Sequence, residues 1–257
     1  MSSHVDAPVY LVTAAGRGIG AACARLLAAS GARLVLLSPS GAAEALAREL
    51  GVVGLTGSMS KVDDLRRMVA SALDNFGRID GAVINTGILP SSLRADGSSR
   101  SAGPAYDPDD QTDLVDIDDV EWLAGYDMMF LSVVRLVREL IPVYRRQGKG
   151  VVVAISTFSA PEPRLAYPVS SCVRAGLGAL IKLLADRHAR EGIRFNCVQP
   201  GFLDNWELSH DVIKAIPMAR AGRTDEIAET VKFLLSNASG YITGQSILVD
   251  GGINRSS

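Results

Sequence analysis

Cysteine is scarce in this chain: Cys23, Cys172 and Cys197 are scattered over 257 residues with no metal-ligand spacing. That scarcity argues against a disulfide framework or a zinc site and leaves the three as small core hydrophobes. His188 and His210 have no evident partner and read as surface residues. A dominant charge sign is missing too, since the formal net charge is -2 and the pI is near 5.9. The basic excess needed by a nucleic-acid or anionic-membrane binder is therefore absent, and a small-molecule substrate is expected. No apolar run approaches the roughly 20 residues of a membrane span. The opening "MSSHVDAP" also lacks the charged and apolar regions of a signal peptide. The expectation is a cytoplasmic protein without a membrane or nucleic-acid partner.

What the chain does have is alternation. Aliphatic runs such as "VYLVTA", "ARLVLLS" and "GVVVAIS" alternate with segments of helical periodicity such as "VDDLRRMVASALDNFG" and "AGLGALIKLLADRHAREG". This pattern predicts right-handed βαβ units on a parallel sheet. About seven strands are expected, in a single Rossmann-type, doubly wound α/β domain spanning residues 1–257. Ser91 to Asp119 is rich in Ser, Gly, Pro and Asp and follows neither periodicity, so it reads as an inserted loop, either a surface excursion or an ordered lid.

Directly after the first strand comes "TAAGRGIGAACARLL", which places Gly16, Gly18 and Gly20 between a strand and an alanine-rich helix. Glycine permits a tight turn and lets the backbone approach a pyrophosphate, whose charge then sits at the helix N-terminus. At a first βα junction this is the context of a dinucleotide-binding loop.

These residues resemble the short-chain dehydrogenase/reductase family over almost the whole chain. The family's "TGxxxGxG" corresponds to Thr13-Ala14-Ala15-Gly16-Arg17-Gly18-Ile19-Gly20 and its "NNAG" to Ile84-Asn85-Thr86-Gly87. Its "PG" corresponds to Pro200-Gly201, and Tyr241 to Gly252 resembles its last strand. The resemblance implies an oxidoreductase that moves hydride between a nicotinamide cofactor and a small carbonyl or alcohol substrate. It also implies a homo-oligomer, tetramer or dimer, with helices over Val120 to Arg146 and Val173 to Glu191 as interface candidates. Cofactor contacts are expected from Thr13, the loop residues Gly16 to Gly20, Asn85, Gly87, Pro200 and Gly201, with Asn205 near the nicotinamide carboxamide.

At the end of the second strand an Asp or Glu would hold the ribose hydroxyls of NAD. Here Ser38-Pro39-Ser40 stands instead. With Arg17 in the loop as a partner for a 2′-phosphate, NADP(H) is expected over NAD(H). The family's Asp after the third strand is likewise absent, Gly57 or Ser58 falling there.

In this family a tyrosine carries the substrate proton, a lysine four residues on lowers its pKa, and a serine and an asparagine complete the site. Ungapped counting puts Ser170 at the tyrosine position, Arg174 at the lysine, Thr157 at the serine and Met129 at the asparagine. All four are altered. Tyr167 offers a repair, because positions 167, 170 and 174 of an ideal helix lie within about 60° of one another, and Pro168 would set that tyrosine at the helix entrance. Tyr167 or Ser170 is then the proton-transfer hydroxyl, and Ser156 or Thr157 the oxyanion donor. Plainer roles compete: a helix-entry aromatic for Tyr167, a first-turn residue for Ser170, and an acidic partner for Arg174. Trp206 and Phe202 line either a substrate pocket or the core. Two other functions stay open, a nucleotide-binding protein without turnover and a lyase resembling the halohydrin dehalogenases, which use Ser, Tyr and Arg. No metal is implied.

Overall fold

The computed structural model describes residues 7–86 and 114–255. Seven strands form one parallel sheet: β1 (Val9–Thr13), β2 (Arg33–Ser38), β3 (Val53–Thr56), β4 (Gly81–Ile84), β5 (Gly150–Ile155), β6 (Ile193–Pro200) and β7 (Ser246–Val249). Their order is β3-β2-β1-β4-β5-β6-β7. Strands buried on both faces can be uniformly apolar, and this explains "RLVLL" in β2 and "GAVI" in β4.

On one face α3 (Val62–Phe76), α5 (Ser132–Gln147) and α6 (Pro168–His188) pack Leu65, Met68, Leu136, Leu140, Leu177 and Ile181 onto the sheet. On the other, α1 (Gly18–Ala29), α2 (Ala42–Leu50) and α8 (Thr224–Leu235) contribute Ala24, Leu27, Leu46, Ile227 and Val231. The short α4 (Asp119–Tyr126) and α7 (His210–Ala215) lie outside these two layers. The strand order reverses between β1 and β4, and in such sheets the crevice at the carboxyl ends of the switching strands is the ligand site.

Several expectations are corrected. Asp119 opens a helix rather than closing the insertion, because the Asp118 carboxylate accepts from the Glu121 N–H at 2.7 Å. The rest of that segment, 91–113, and Gly87 lie outside the described residues. The expected continuous helix over Val120 to Arg146 is two helices joined by a π-helical turn, Asp127–Leu131. Pro168–Glu191 is helical, and by length and composition it is apolar enough to cross a membrane, contrary to the sequence reading. Here it is a layer of the domain, with Leu177, Ile181 and Ala185 buried in the core. Cys23 and Cys197 are buried as expected, whereas Cys172 is exposed. His188 is buried, not superficial: its Nδ1 lies 3.0 Å from the Glu191 carboxylate and its ring packs on Phe195.

Candidate active site

The loop from β1 to α1 is shaped by packing before any ligand is considered. A Cβ on Gly20 would lie 2.3 Å from the Ala14 carbonyl oxygen, and one on Gly16 would lie 2.7 Å from the Ala42 methyl, so these two glycines let helix, strand and neighbouring helix close up. Gly18 differs. Its φ of +53° is left-handed, and an added Cβ would stand 3.1 Å from the Asn205 amide nitrogen. Arg17 is the residue before the first turn of α1, no side chain caps that helix end, and no acid stands in its first turn. Free N–H groups at an uncapped helix N-terminus are what a pyrophosphate binds, so the residues present fit a dinucleotide. Ile19, at the start of α1, lines the smaller cavity described below. Thr13 is fully buried; its hydroxyl donates to the Asn85 carbonyl at 2.7 Å and accepts from the Asn85 N–H at 3.0 Å. It positions Asn85, which lines the same cavity, by clamping β1 to the end of β4.

Beyond the loop, a cavity of ≈ 440 Å³ is bounded by Gly16, Arg17, Ser38, Ser40, Ser58 and Met59, among others. The Ser38 hydroxyl is committed within the protein: it donates to the Ser40 carbonyl at 2.6 Å and accepts from the Ala43 N–H at 3.0 Å. Ser38 therefore offers this cavity the lack of a carboxylate rather than a free hydroxyl. Arg17 is exposed and, among the described residues, is the one charged side chain on the lining.

A second cavity, of ≈ 170 Å³, opens at the ends of β4, β5 and β6. It gathers what the sequence singled out separately: Ser156, Thr157, Tyr167, Ser170 and Arg174, with Pro200 and Gly201 beside them. Pro168 takes the first position of α6, where its missing N–H costs nothing, and Tyr167 precedes it with φ −137° and ψ 54°. Tyr167 packs with Phe158, Phe202 and Trp206. Trp206 lines the cavity, while Phe202 belongs to the cluster behind it. Asn205 is exposed over Gly18 and is not on this lining. Met129, at the asparagine position, is buried in the π-turn and lines the cavity.

The two candidate oxyanion donors differ. The Ser156 hydroxyl is buried beside the Cys197 thiol, whose pKa burial pushes up to about 11, and makes no hydrogen bond of ordinary geometry. Thr157 is half-buried, with its hydroxyl 3.3 Å from that of Ser159.

Among the described residues Arg174 has no acidic partner, where the plainer expectation put one. Its guanidinium donates to the Ile155 carbonyl at 2.7 Å and to the Thr86 hydroxyl at 2.6 Å. Burial pushes its pKa down to about 10, so it is still a cation near neutral pH. Thr86 was not assigned a role from sequence. Its signal lay in the resemblance to "NNAG", against which Thr86 puts a hydroxyl where an alanine is expected.

Comparison with known proteins agrees with this geometry. Residues 13–254 match the family model described as enoyl-(acyl carrier protein) reductase. Acetoacetyl-CoA reductase of Synechocystis sp. is 31% identical, covering 98% of this chain and 98% of that protein. Glucose 1-dehydrogenase of Gluconobacter oxydans is 31% identical over 95% of this chain and 90% of its own. The crystal structure of 3-ketoacyl-(acyl-carrier-protein) reductase from Brucella melitensis complexed with NADH superposes with a TM-score of 0.84 at 25% identity, covering 96% of this chain and 98% of that one. The chain belongs to the short-chain dehydrogenase/reductase family, a family of oxidoreductases built on a nucleotide-binding sheet of this kind.

Proposed function

We propose that the protein transfers hydride between NADP(H) and a small carbonyl or alcohol, with Tyr167 as the proton-transfer group. The observation that carries this reading is the convergence of Tyr167, Ser170, Thr157 and Arg174 on one cavity beside the glycine loop. A bound nicotinamide would supply or accept the hydride at the carbonyl carbon. In the reducing direction the oxyanion left on the substrate takes the Tyr167 proton, and the Arg174 cation stabilises the phenolate that remains. Thr157, half-buried, is the better hydrogen-bond donor to that oxygen, since Ser156 is turned into the core beside Cys197. Serine is a much weaker acid than a phenol, which favours Tyr167 over Ser170.

The preference for NADP(H) rests on the larger cavity. Its described lining carries Arg17 and no carboxylate, so a 2′-phosphate meets a cation there. The open glycine loop argues against chemistry without a nucleotide. One observation favours a second reading, nucleotide binding without turnover: Met129 brings a thioether to the position where the family has a polar amide. Titration with NADPH and NADH, followed by a carbonyl screen for nucleotide oxidation, separates the readings. Binding without hydride transfer to any carbonyl would favour the second.

We also propose a homo-oligomer. Val120 and Leu123 of α4 and Leu183 of α6 are exposed on helices that the family resemblance marks as interface candidates. Light scattering of the purified protein tests this, and a monomer at micromolar concentration would refute it.

A further inference from the structure

Beyond β7 the chain reverses at Gly251 and Gly252, whose φ values of +64° and +84° suit residues without a Cβ. The Asp250 carboxylate holds this turn by accepting from the Gly252 and Asn254 N–H groups, both at 2.9 Å. The turn aims the following residues at the loop after β5, two strands away in the sheet. There the Asn254 side-chain amide donates to the Phe158 carbonyl at 2.8 Å, and the Glu162 carboxylate accepts from the Arg255 N–H. Both acceptors lie between β5 and α6, on the loop of residues 156–167 that carries Thr157 and Tyr167.

Phe158 is well placed to pass this tie on. It follows Thr157 directly, and its buried ring packs in one cluster with Tyr167, Trp206 and Ile253. Its own N–H donates to the Pro200 carbonyl at 2.9 Å, so one of its backbone groups is fixed by the end of β6 and the other by Asn254. Asn254 is half-buried and lines neither cavity described above, so it acts through Phe158 rather than on a ligand.

We propose that Asn254 is a positioning residue for the proton-transfer site. The segment Asp250–Arg255 straps the β5–α6 loop and, through Phe158, sets the places of the Thr157 and Tyr167 hydroxyls; the catalytic half of this statement rests on the hydride-transfer reading above. A carbonyl only accepts, so the amide nitrogen of Asn254 faces it, and an aspartate there would set acceptor against acceptor. One modest hydrogen bond can matter to rate because a misplacement of about 1 Å costs up to about 10²-fold.

Asn254→Ala removes the donor, and Asn254→Asp removes it at nearly constant shape. Hydrogen exchange of the whole protein, read by mass spectrometry, should be about ten-fold faster in peptides covering 156–167 in both variants and unchanged in β1 and the glycine loop. Unchanged exchange over 156–167 overturns the strap. With a carbonyl substrate, kcat should fall about ten-fold in both variants while KM for the nucleotide stays within about two-fold. An unchanged kcat despite faster loop exchange overturns the positioning role, and so does a nucleotide KM that rises in step with the loss of kcat. If the unaltered protein oxidises no nucleotide with any carbonyl, the catalytic half falls with the hydride-transfer reading, and the exchange comparison still decides the strap.

Discussion

Arg174 reaches from α6 to the end of β4, where it donates to the Thr86 hydroxyl at 2.6 Å. By the family resemblance these positions would hold Lys and Ala, and here a guanidinium and a hydroxyl partner each other. Thr86→Val keeps the shape and removes the acceptor of a charged donor. The expected loss is about 1.5–3 kcal/mol of stability, the range for hydrogen bonds to charged groups. Urea unfolding measures it, and Thr86→Ser should restore most of it.

The proton donor is decided by two single substitutions. If Tyr167 is the acid, Tyr167→Phe lowers turnover by about 10² to 10⁴-fold with nucleotide affinity nearly unchanged. Ser170→Ala should be mild by comparison. The reverse pattern would move the role to Ser170, and full activity in both would leave it to neither.

For the nucleotide, Ser38→Asp should weaken NADPH binding more than NADH binding. Aspartate can still accept the Ala43 N–H but cannot donate to the Ser40 carbonyl, so circular dichroism first checks that the variant is folded. Unchanged relative affinities would remove Ser38 from the ribose site. Gly18→Val, at φ +53° and against Asn205, should abolish binding of both nucleotides.

Ala14 stands at the second position of the loop motif with φ 47°, a left-handed conformation that costs a residue with a Cβ about 1–2 kcal/mol. Ala14→Gly relieves this and adds back some freedom in the unfolded chain. The net expectation is a stabilisation of about 1 kcal/mol, seen by calorimetry as a rise in Tm of about 2–4 °C. A lower Tm would show that the loop is not strained at this residue.

Hydrogen bonds from Arg145 and His188 lower the Glu191 carboxyl to about 2. Its folded pKa lies below the unfolded value near 4.3, so its contribution is present above that value and is lost as pH falls toward about 2. Glu191→Gln should flatten the acid limb of a stability-against-pH curve over that window. Added salt should shrink the difference, because the group is at the surface.

The sheet and the phosphate loop were legible in the sequence because each rests on local chemistry. Apolar runs in β1, β2 and β5 can be buried only as parallel strands, and Gly18 is needed where φ is positive. That Tyr167, Ser170 and Arg174 share one cavity was legible, since helical spacing brings these three positions together. Long-range partners were not. Nothing near Thr86 in sequence announces Arg174, which is 88 residues away. His188 read as a surface residue because its burial comes from Phe195 on the following strand. The break between α4 and α5 was hidden as well, because apolar positions continue through "DMMFL" without Gly or Pro.

That break acts as a phase joint. In a π-turn each N–H reaches back five residues instead of four, so one extra residue is taken up without interrupting the chain's course. Trp122 upstream of it and Met128 within it pack with Val169 and Val173 of α6; downstream, Val133, Leu136 and Leu140 face the core beneath the sheet. Removing one residue from 127–131 would let the turn relax to an ordinary α-helix. The two halves would then rotate by about 100° relative to each other, and one of the two apolar faces would lose its seat. The length of this segment is fixed by the two surfaces it must serve.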